Sequence, residues 1–461
     1  MPTYDYLVIA MMVSFIALLF TGFPIAWILA GVAIVFSTIA VLGYEYLGWD
    51  TFFLTSFSKL HAIWIQRIYA QMSNWILVAL PMFIFMGLML ERSGVTEKLM
   101  VNFVQLFGRY RGGLALAVVL IGILLAASTG IVGASVVLLA VLSMPIMLSQ
   151  GYNKGLASGV VASSGTLGIL IPPSIMLIIM ADQLSLSVGN LYFGALIPGL
   201  MLGLIYVVYI LLVARIFPSV APAPKNLPPV TGALVRQTML AVVPPLALIF
   251  LVLGSIFFGV ATPTEASGLG AFGAIVLAAV NGRLTWAVVK EVCQKTTVTT
   301  AFIFGIFLGA TVFAVTLRQL GGDELIASSL QAVPLGPNGV VILILFIGFI
   351  AGFFLDWLEI SLIILPLVAP VVTALGFDLN WFVVIFAVML QTSFLTPPVG
   401  FSLFYLKGVA PKEVTTLDIY RGIVPFVFCQ VLAVLLVFEF PQLVLWLPSV
   451  MFGAPEAGAA N

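Results

Sequence analysis

The chain has almost no charge. Lys and Arg number 17, Asp and Glu number 17, and together they make up 7% of 461 residues. Soluble domains carry about 25% charged residues, so this chain cannot cover a water-facing surface. Its net charge of zero offers no basic stripe to a nucleic acid. Histidine occurs once, at His61. That excludes haem-ligand pairs, His-based zinc sites and the Glu-x-x-His pattern of di-iron helices. Two cysteines, Cys293 and Cys429, are too few for a disulfide scaffold or an iron–sulfur site. Soluble enzymes, disordered chains and nucleic-acid binders are thereby excluded. What abounds is apolar: 62% is AVILMFWYC, with 42 Gly and 26 Pro to bend and break helices. The composition predicts an all-α polytopic membrane protein. No positioned base, nucleophile or metal set points to an enzyme.

About 20 apolar residues cross a bilayer core. On that measure crossings are expected at 5–21, 24–43, 73–92, 154–181, 189–214, 237–258, 265–281, 297–317, 380–405 and 422–449. The first run follows Asp5 with no Lys or Arg before it, and reads as a crossing rather than a cleaved signal. Two apolar stretches, 113–150 and 336–376, are interrupted at their centres, by Ala127-Ser128-Thr129-Gly130 and by Gly352 to Glu359. Their halves, about 15 residues each, are short for a span, so each stretch reads as a re-entrant hairpin. The other reading is an ordinary helical pair with a tight turn. Basic residues prefer the cytoplasmic side. With both hairpins re-entrant, only Lys59, Arg67 and Arg318 of the 17 fall on the opposite side. Both termini are then expected to be periplasmic. Segments 44–72 and 282–296 mix polar and apolar residues around Trp49, Trp64 and Trp286, and read as interfacial helices. Residues 217–235 are a proline-rich cytoplasmic linker, and 451–461 a tail.

The linker separates two similar halves, 1–216 and 236–450. Pro145, Gly151, Pro172 and Pro173 recur as Pro370, Gly376, Pro397 and Pro398, always 225 residues on. Pro24 and Gly31 recur as Pro263 and Gly270, 239 residues on. Each half holds five crossings and one hairpin, and an odd number inverts the second half. Inverted repeats with interrupted helices mark secondary transporters, with sites where the repeats meet.

Hairpin tips and helix breaks leave carbonyls and hydroxyls that suit Na⁺, and amides that suit a carboxylate. The first tip is Ser128-Thr129-Gly130. Its partner is Ser163-Ser164-Gly165-Thr166-Leu167-Gly168, ahead of Ile171-Pro172-Pro173-Ser174 in a broken helix, 154–181. The second tip, from Gly352 to Glu359, carries Asp356. Its partner is Gln391-Thr392-Ser393-Phe394-Leu395-Thr396-Pro397-Pro398 in a second broken helix, 380–405. Two structural readings stand beside these. Ser and Thr hydroxyls can bond back to the preceding turn, and Asp356 can cap a helix. Glu265, after Thr262-Pro263-Thr264, reads as a helix-initiating residue.

Gly22-Phe23-Pro24-Ile25-Ala26, Ile171-Pro172-Pro173-Ser174, Ala261-Thr262-Pro263-Thr264-Glu265-Ala266, Gly352-Phe353-Phe354-Leu355-Asp356 and Leu395-Thr396-Pro397-Pro398-Val399-Gly400 occur in this order over essentially the whole chain. Together they resemble the large membrane subunit of tripartite ATP-independent periplasmic (TRAP) transporters. The resemblance implies an elevator-type secondary transporter of the bacterial inner membrane. It would import an organic acid on a Na⁺ gradient, with a core of 113–216 plus 336–450 moving against a frame. A small four-helix membrane subunit, expected as a separate chain, and a periplasmic substrate-binding protein would complete it. Carried onto this sequence, the resemblance implies Na⁺ sites at Ser128, Gly130, Ser164, Gly165 and Gly168, and at Gly352, Asp356, Thr392 and Thr396. It implies substrate contacts at Ser128, Thr129, Ser163, Ser164, Pro172, Thr392 and Ser393. A stand-alone Na⁺/dicarboxylate-type symporter, working without a binding protein, is the alternative.

Overall fold

The computed structural model describes residues 2–129, 132–223 and 230–453, and only the backbone of 126–129. Every regular element among the described residues is helical. In chain order they are α1 (Thr3–Leu19), α2 (Ile25–Leu47), α3 (Phe57–Met72), a 3₁₀ turn (Trp75–Val78), α4 (Ala79–Arg92), α5 (Val95–Phe107), α6 (Gly113–Thr129) and α7 (Val132–Ser149). Then follow α8 (Lys154–Thr166), a second 3₁₀ turn (Leu167–Ile169), α9 (Ile175–Gln183), α10 (Val188–Ile216), α11 (Gly232–Phe257), α12 (Pro263–Val280) and α13 (Trp286–Gln319). The last are α14 (Gly322–Ala332), α15 (Pro337–Ala351), α16 (Trp357–Ala374), α17 (Leu379–Leu395), α18 (Phe401–Val409), α19 (Thr416–Glu439) and α20 (Gln442–Phe452). Nine of the described helices are long and apolar enough to cross a membrane. Several shorter ones, α6, α15 and α17 among them, are equally apolar. The chain is a multi-pass membrane protein.

Local chemistry starts these helices where the sequence changes character. Thr262 Oγ1 accepts from the Glu265 amide while Glu265 accepts from the Thr262 amide, a capping box that opens α12. Glu265 is thus a helix-initiating residue. Thr415 and Asp418 open α19 in the same way. Asn153 Oδ1 accepts from two amides at the start of α8.

Four features differ from the sequence expectation. The interfacial segment 282–296 and the crossing 297–317 form one helix, α13. No Gly or Pro lies between Trp286 and Phe304 to separate them, so the amphipathic turns run straight into the apolar ones. At 34 residues, α13 is about 51 Å long, well beyond a bilayer core. The crossing expected at 422–449 divides into α19 and α20, because Pro441 bars its predecessor from helical geometry. Within 44–72 only Phe57–Met72 is a separate helix, since α2 runs on to Leu47. Short helices α5 and α14, each entered through a glycine with positive φ (Gly94 and Gly321), occupy segments that lie outside the expected crossings.

Two compact units are formed, Met1–Trp75 with Val298–Leu379 and Ile76–Thr297 with Asn380–Asn461. They do not coincide with the core and frame expected from the sequence: α16 groups with α1, α2 and α3. In the first unit α1 packs on α2, Phe15 meets Phe313 with ring centroids 5.1 Å apart, and α14 and α15 lie against α16. In the second, α8 is wholly buried from Leu156 onward and packs against α6, α7 and α19. Small residues permit this. A Cβ at Gly165 would lie 2.9 Å from the backbone of Val136, and one at Gly122 would lie 2.6 Å from Ser164. Gly155 and Gly159, one turn apart, meet Gly422 of α19 backbone to backbone.

Candidate ion and substrate site

The site is built on two interrupted helices in the second unit. After Thr166 the α8 chain tightens into a 3₁₀ turn, leaves helical geometry through Pro172-Pro173, and resumes at Ile175. After Leu395 the α17 chain breaks at Pro397-Pro398 and resumes at Phe401. Both proline pairs are joined by a cis bond. Proline has no amide to continue the ladder, and a break leaves carbonyls of the last turn and amides of the next without helical partners.

Side chains satisfy some of those carbonyls. Ser174 Oγ donates to the Ile169 carbonyl at 2.5 Å, and Ser402 Oγ donates to the Phe394 carbonyl at 2.7 Å. The buried Tyr192 hydroxyl donates to the Ser174 carbonyl at 3.2 Å. The Tyr420 hydroxyl donates to the Pro398 carbonyl at 3.0 Å. Each break is therefore bridged by a serine at the start of the resumed helix and by a tyrosine of the helix after that one, Tyr192 of α10 and Tyr420 of α19.

The two breaks are joined directly. Gln391 Nε2 donates to Thr166 Oγ1 at 3.1 Å, in a fully buried setting. These residues stand 225 apart, the interval of the two proline pairs. Ile169 and Phe394, whose carbonyls the serines take, stand 225 apart as well. So do Val132 and Trp357, Ser149 and Ala374, and Lys154 and Leu379, which bound α7 and α16 and open α8 and α17.

The candidate residues are placed as follows. Ser163, Ser164, Gly165, Gly168 and Pro172 lie buried along the first break, and Thr392 and Ser393 are buried ahead of the second. The Thr166–Gln391 bond brings the two groups together. Several hydroxyls bond back to the preceding turn: Ser163 to Val160 at 3.2 Å, Thr392 to Val388 at 2.9 Å, Thr396 to Thr392 at 2.7 Å. Each spends its proton there and keeps oxygen lone pairs for a cation. Ser164 differs. Its Oγ is buried with no hydrogen-bond partner, an oxygen donor left open. Gln391 Oε1 is open in the same way. Gly133, at the start of α7, lies against the Tyr405 ring of α18. Gly130 and the side chains of Ser128 and Thr129 lie outside the described residues.

Gly352 and Asp356 belong to the other unit. Gly352 closes α15, its amide donating to the Gly348 carbonyl at 2.9 Å. Asp356 caps α16, accepting from the Trp357 amide at 2.8 Å. Glu359, one turn on, is buried, and its Oε2 has no hydrogen-bond partner. Among the described residues no group of three or more His, Cys, Asp or Glu could hold a metal.

Thr166 and Gln391 were quoted within the sequence motifs but not singled out. The interval of 225 was the signal that pairs them. The Gly155-x-x-x-Gly159 spacing likewise announced a close helix contact.

Residues 12–443 match the family model for the DctM component of tripartite ATP-independent periplasmic transporters. The chain belongs to this family. Its relatives include the C4-dicarboxylate TRAP transporter large permease protein of Vibrio cholerae, 30% identical over 83% of this chain and 87% of that protein. The sialic acid TRAP large permease protein of the same species is 27% identical over 95% of this chain and 98% of that one. The ectoine TRAP large permease protein of Halomonas elongata is 29% identical over 84% and 90%. The fold is also similar to that of the YdaH transporter of Alcanivorax borkumensis, with a TM-score of 0.61 at 15% identity over 90% of this chain and 96% of that chain. A DctM component is a transport protein.

Proposed function

We propose that this chain is the large permease subunit of a Na⁺-coupled importer of an organic acid in the bacterial inner membrane. It works with a small four-helix membrane subunit and a periplasmic binding protein. Family membership supports the three-part assembly. The relatives' named substrates are C4-dicarboxylates, sialic acid and ectoine, and these point to a carboxylate.

The observation that carries the mechanism is the Thr166–Gln391 bond between two helix breaks at one sequence interval. Two segments related by an inverted repeat meet at their shared axis through equivalent residues. Bound Na⁺ would be held by Ser164 Oγ, which is buried and unpartnered, with carbonyl oxygens around Gly165 and Gly168. Asp356 and Glu359 supply carboxylate oxygens in the second hairpin. The carboxylate of the substrate suits the free amides that open α9 and α18, with Ser163, Pro172, Thr392 and Ser393 lining the approach. An inverted repeat gives two states of similar energy, one open to each side, and the family resemblance implies an elevator movement of the site between them.

Reconstitution tests this reading. The chain, its small subunit and its binding protein are placed in proteoliposomes with an inward Na⁺ gradient and a panel of labelled carboxylates. Uptake is expected only when Na⁺ and the binding protein are both present. Uptake without a binding protein would instead favour a stand-alone symporter. Uptake driven by a pH gradient and indifferent to Na⁺ would move the coupling role to protons.

A further inference from the structure

A cleft lies away from the breaks, in the second unit, between α5, α11 and α12. It is an open cleft of about 550 Å³. Its lining is graded. At one end stand Lys98, Gln237 and Asn281, near the first turns of α5 and α11 and the end of α12. Deeper along the same helices the walls are Leu240, Pro244 and Leu277. Pro244, inside α11, removes an amide from that helix's ladder at this level.

The charges at the polar end are uneven. Arg283 Nη2 reaches Glu97 Oε2 at 3.4 Å, so Glu97 is neutralised by its neighbour. Lys98 Nζ donates to the uncharged Asn281 Oδ1 at 2.6 Å, so no acid neutralises Lys98 through that contact. An ammonium at the mouth of an apolar cleft between membrane helices has the chemistry of an anionic-lipid site.

We infer that this cleft binds an anionic glycerophospholipid, with its phosphate at Lys98 and an acyl chain against Leu240, Pro244 and Leu277. A partner helix, 10–12 Å across, would need an open face. Here α11 is already packed against both α5 and α12, and the space runs inward from a polar mouth as a headgroup and chain do.

The test is native mass spectrometry on the full-length purified chain. It is titrated with palmitoyl-oleoyl phosphatidylglycerol and, separately, with the phosphatidylcholine of the same chains. Phosphatidylglycerol should bind at least tenfold more tightly. Lys98→Gln should bring it to the phosphatidylcholine level, while Lys98→Arg retains the preference. Ala241→Trp, which fills the cleft, should weaken both lipids. Glycerol 3-phosphate should not compete. Lys98 is exposed, so its variants fold, and their melting temperatures should match the parent. Equal binding of the two lipids, or an unchanged Lys98→Gln variant, would overturn the inference. Competition by glycerol 3-phosphate would make this a free-anion site, also against it. Loss of lipid on adding the small subunit would mean that a protein partner, not a lipid, occupies the cleft, and would overturn the inference as well.

Discussion

Replacing Gly422 by leucine should cut transport at least tenfold. Gly422 on α19 touches the backbone of Gly155 on α8, and a Cβ there would lie 2.7 Å from the Gly155 Cα. A Cβ at Gly159 would meet the Phe426 ring at 2.7 Å and the Gly422 carbonyl. Backbone cannot turn aside as a side chain can. Overpacking costs about 1–3 kcal/mol and occasionally more, and this contact belongs at the upper end. The strain falls on α8, which carries Ser163, Ser164 and Gly165, so the site moves with it. Uptake in proteoliposomes should fall at least tenfold, with a lowered melting temperature, while Gly422→Ala should be milder. Wild-type uptake by the leucine variant would mean that the two helices are not in backbone contact.

Thr166→Val and Gln391→Leu should each cut uptake severalfold or more, and their effects should not add. Thr166→Val leaves the buried Gln391 amide without its hydrogen bond, which costs about 1–3 kcal/mol, and Gln391→Leu takes the donor from Thr166 Oγ1, which keeps its own bond to the Ser163 carbonyl at 2.8 Å. Removing both groups removes the orphan, so the double variant should be less impaired than the product of the singles. Neighbours that share a bond give coupling energies of about 0.5–3 kcal/mol in such a cycle. Uptake and thermal unfolding of the four proteins measure it. Strict additivity would show that the two breaks are not energetically joined at this point.

Much of the fold was legible because composition and breakers are local signals. Apolar runs marked helices, and Pro172-Pro173 and Pro397-Pro398 marked the interruptions. The Thr262–Glu265 capping box could be read directly from its spacing. Asp356 could be read only as a cap or a ligand, and the structure shows the cap. The rest was hidden because it depends on contacts between distant residues. Nothing in Trp286–Thr297 says whether an amphipathic turn stops before the next span, and in α13 it does not. The grouping of α16 with the N-terminal helices depends on contacts far apart in sequence, and periodicity carries no such information. The Thr166–Gln391 bond could have been anticipated from the interval of 225, since equivalent residues of two inverted segments can meet only near their common axis. That Ser164 is left open while Ser163 and Thr392 bond back is a matter of rotamer and burial, which spacing does not encode.

The most direct test of the account is the Na⁺ dependence of uptake by the reconstituted three-part assembly, at saturating substrate and fixed membrane potential. Two related breaks joined through Thr166 and Gln391 predict a sigmoidal rise with Na⁺, with a Hill coefficient above one, that flattens toward hyperbolic in Gln391→Leu. A rate that is the same in K⁺ as in Na⁺ would contradict it.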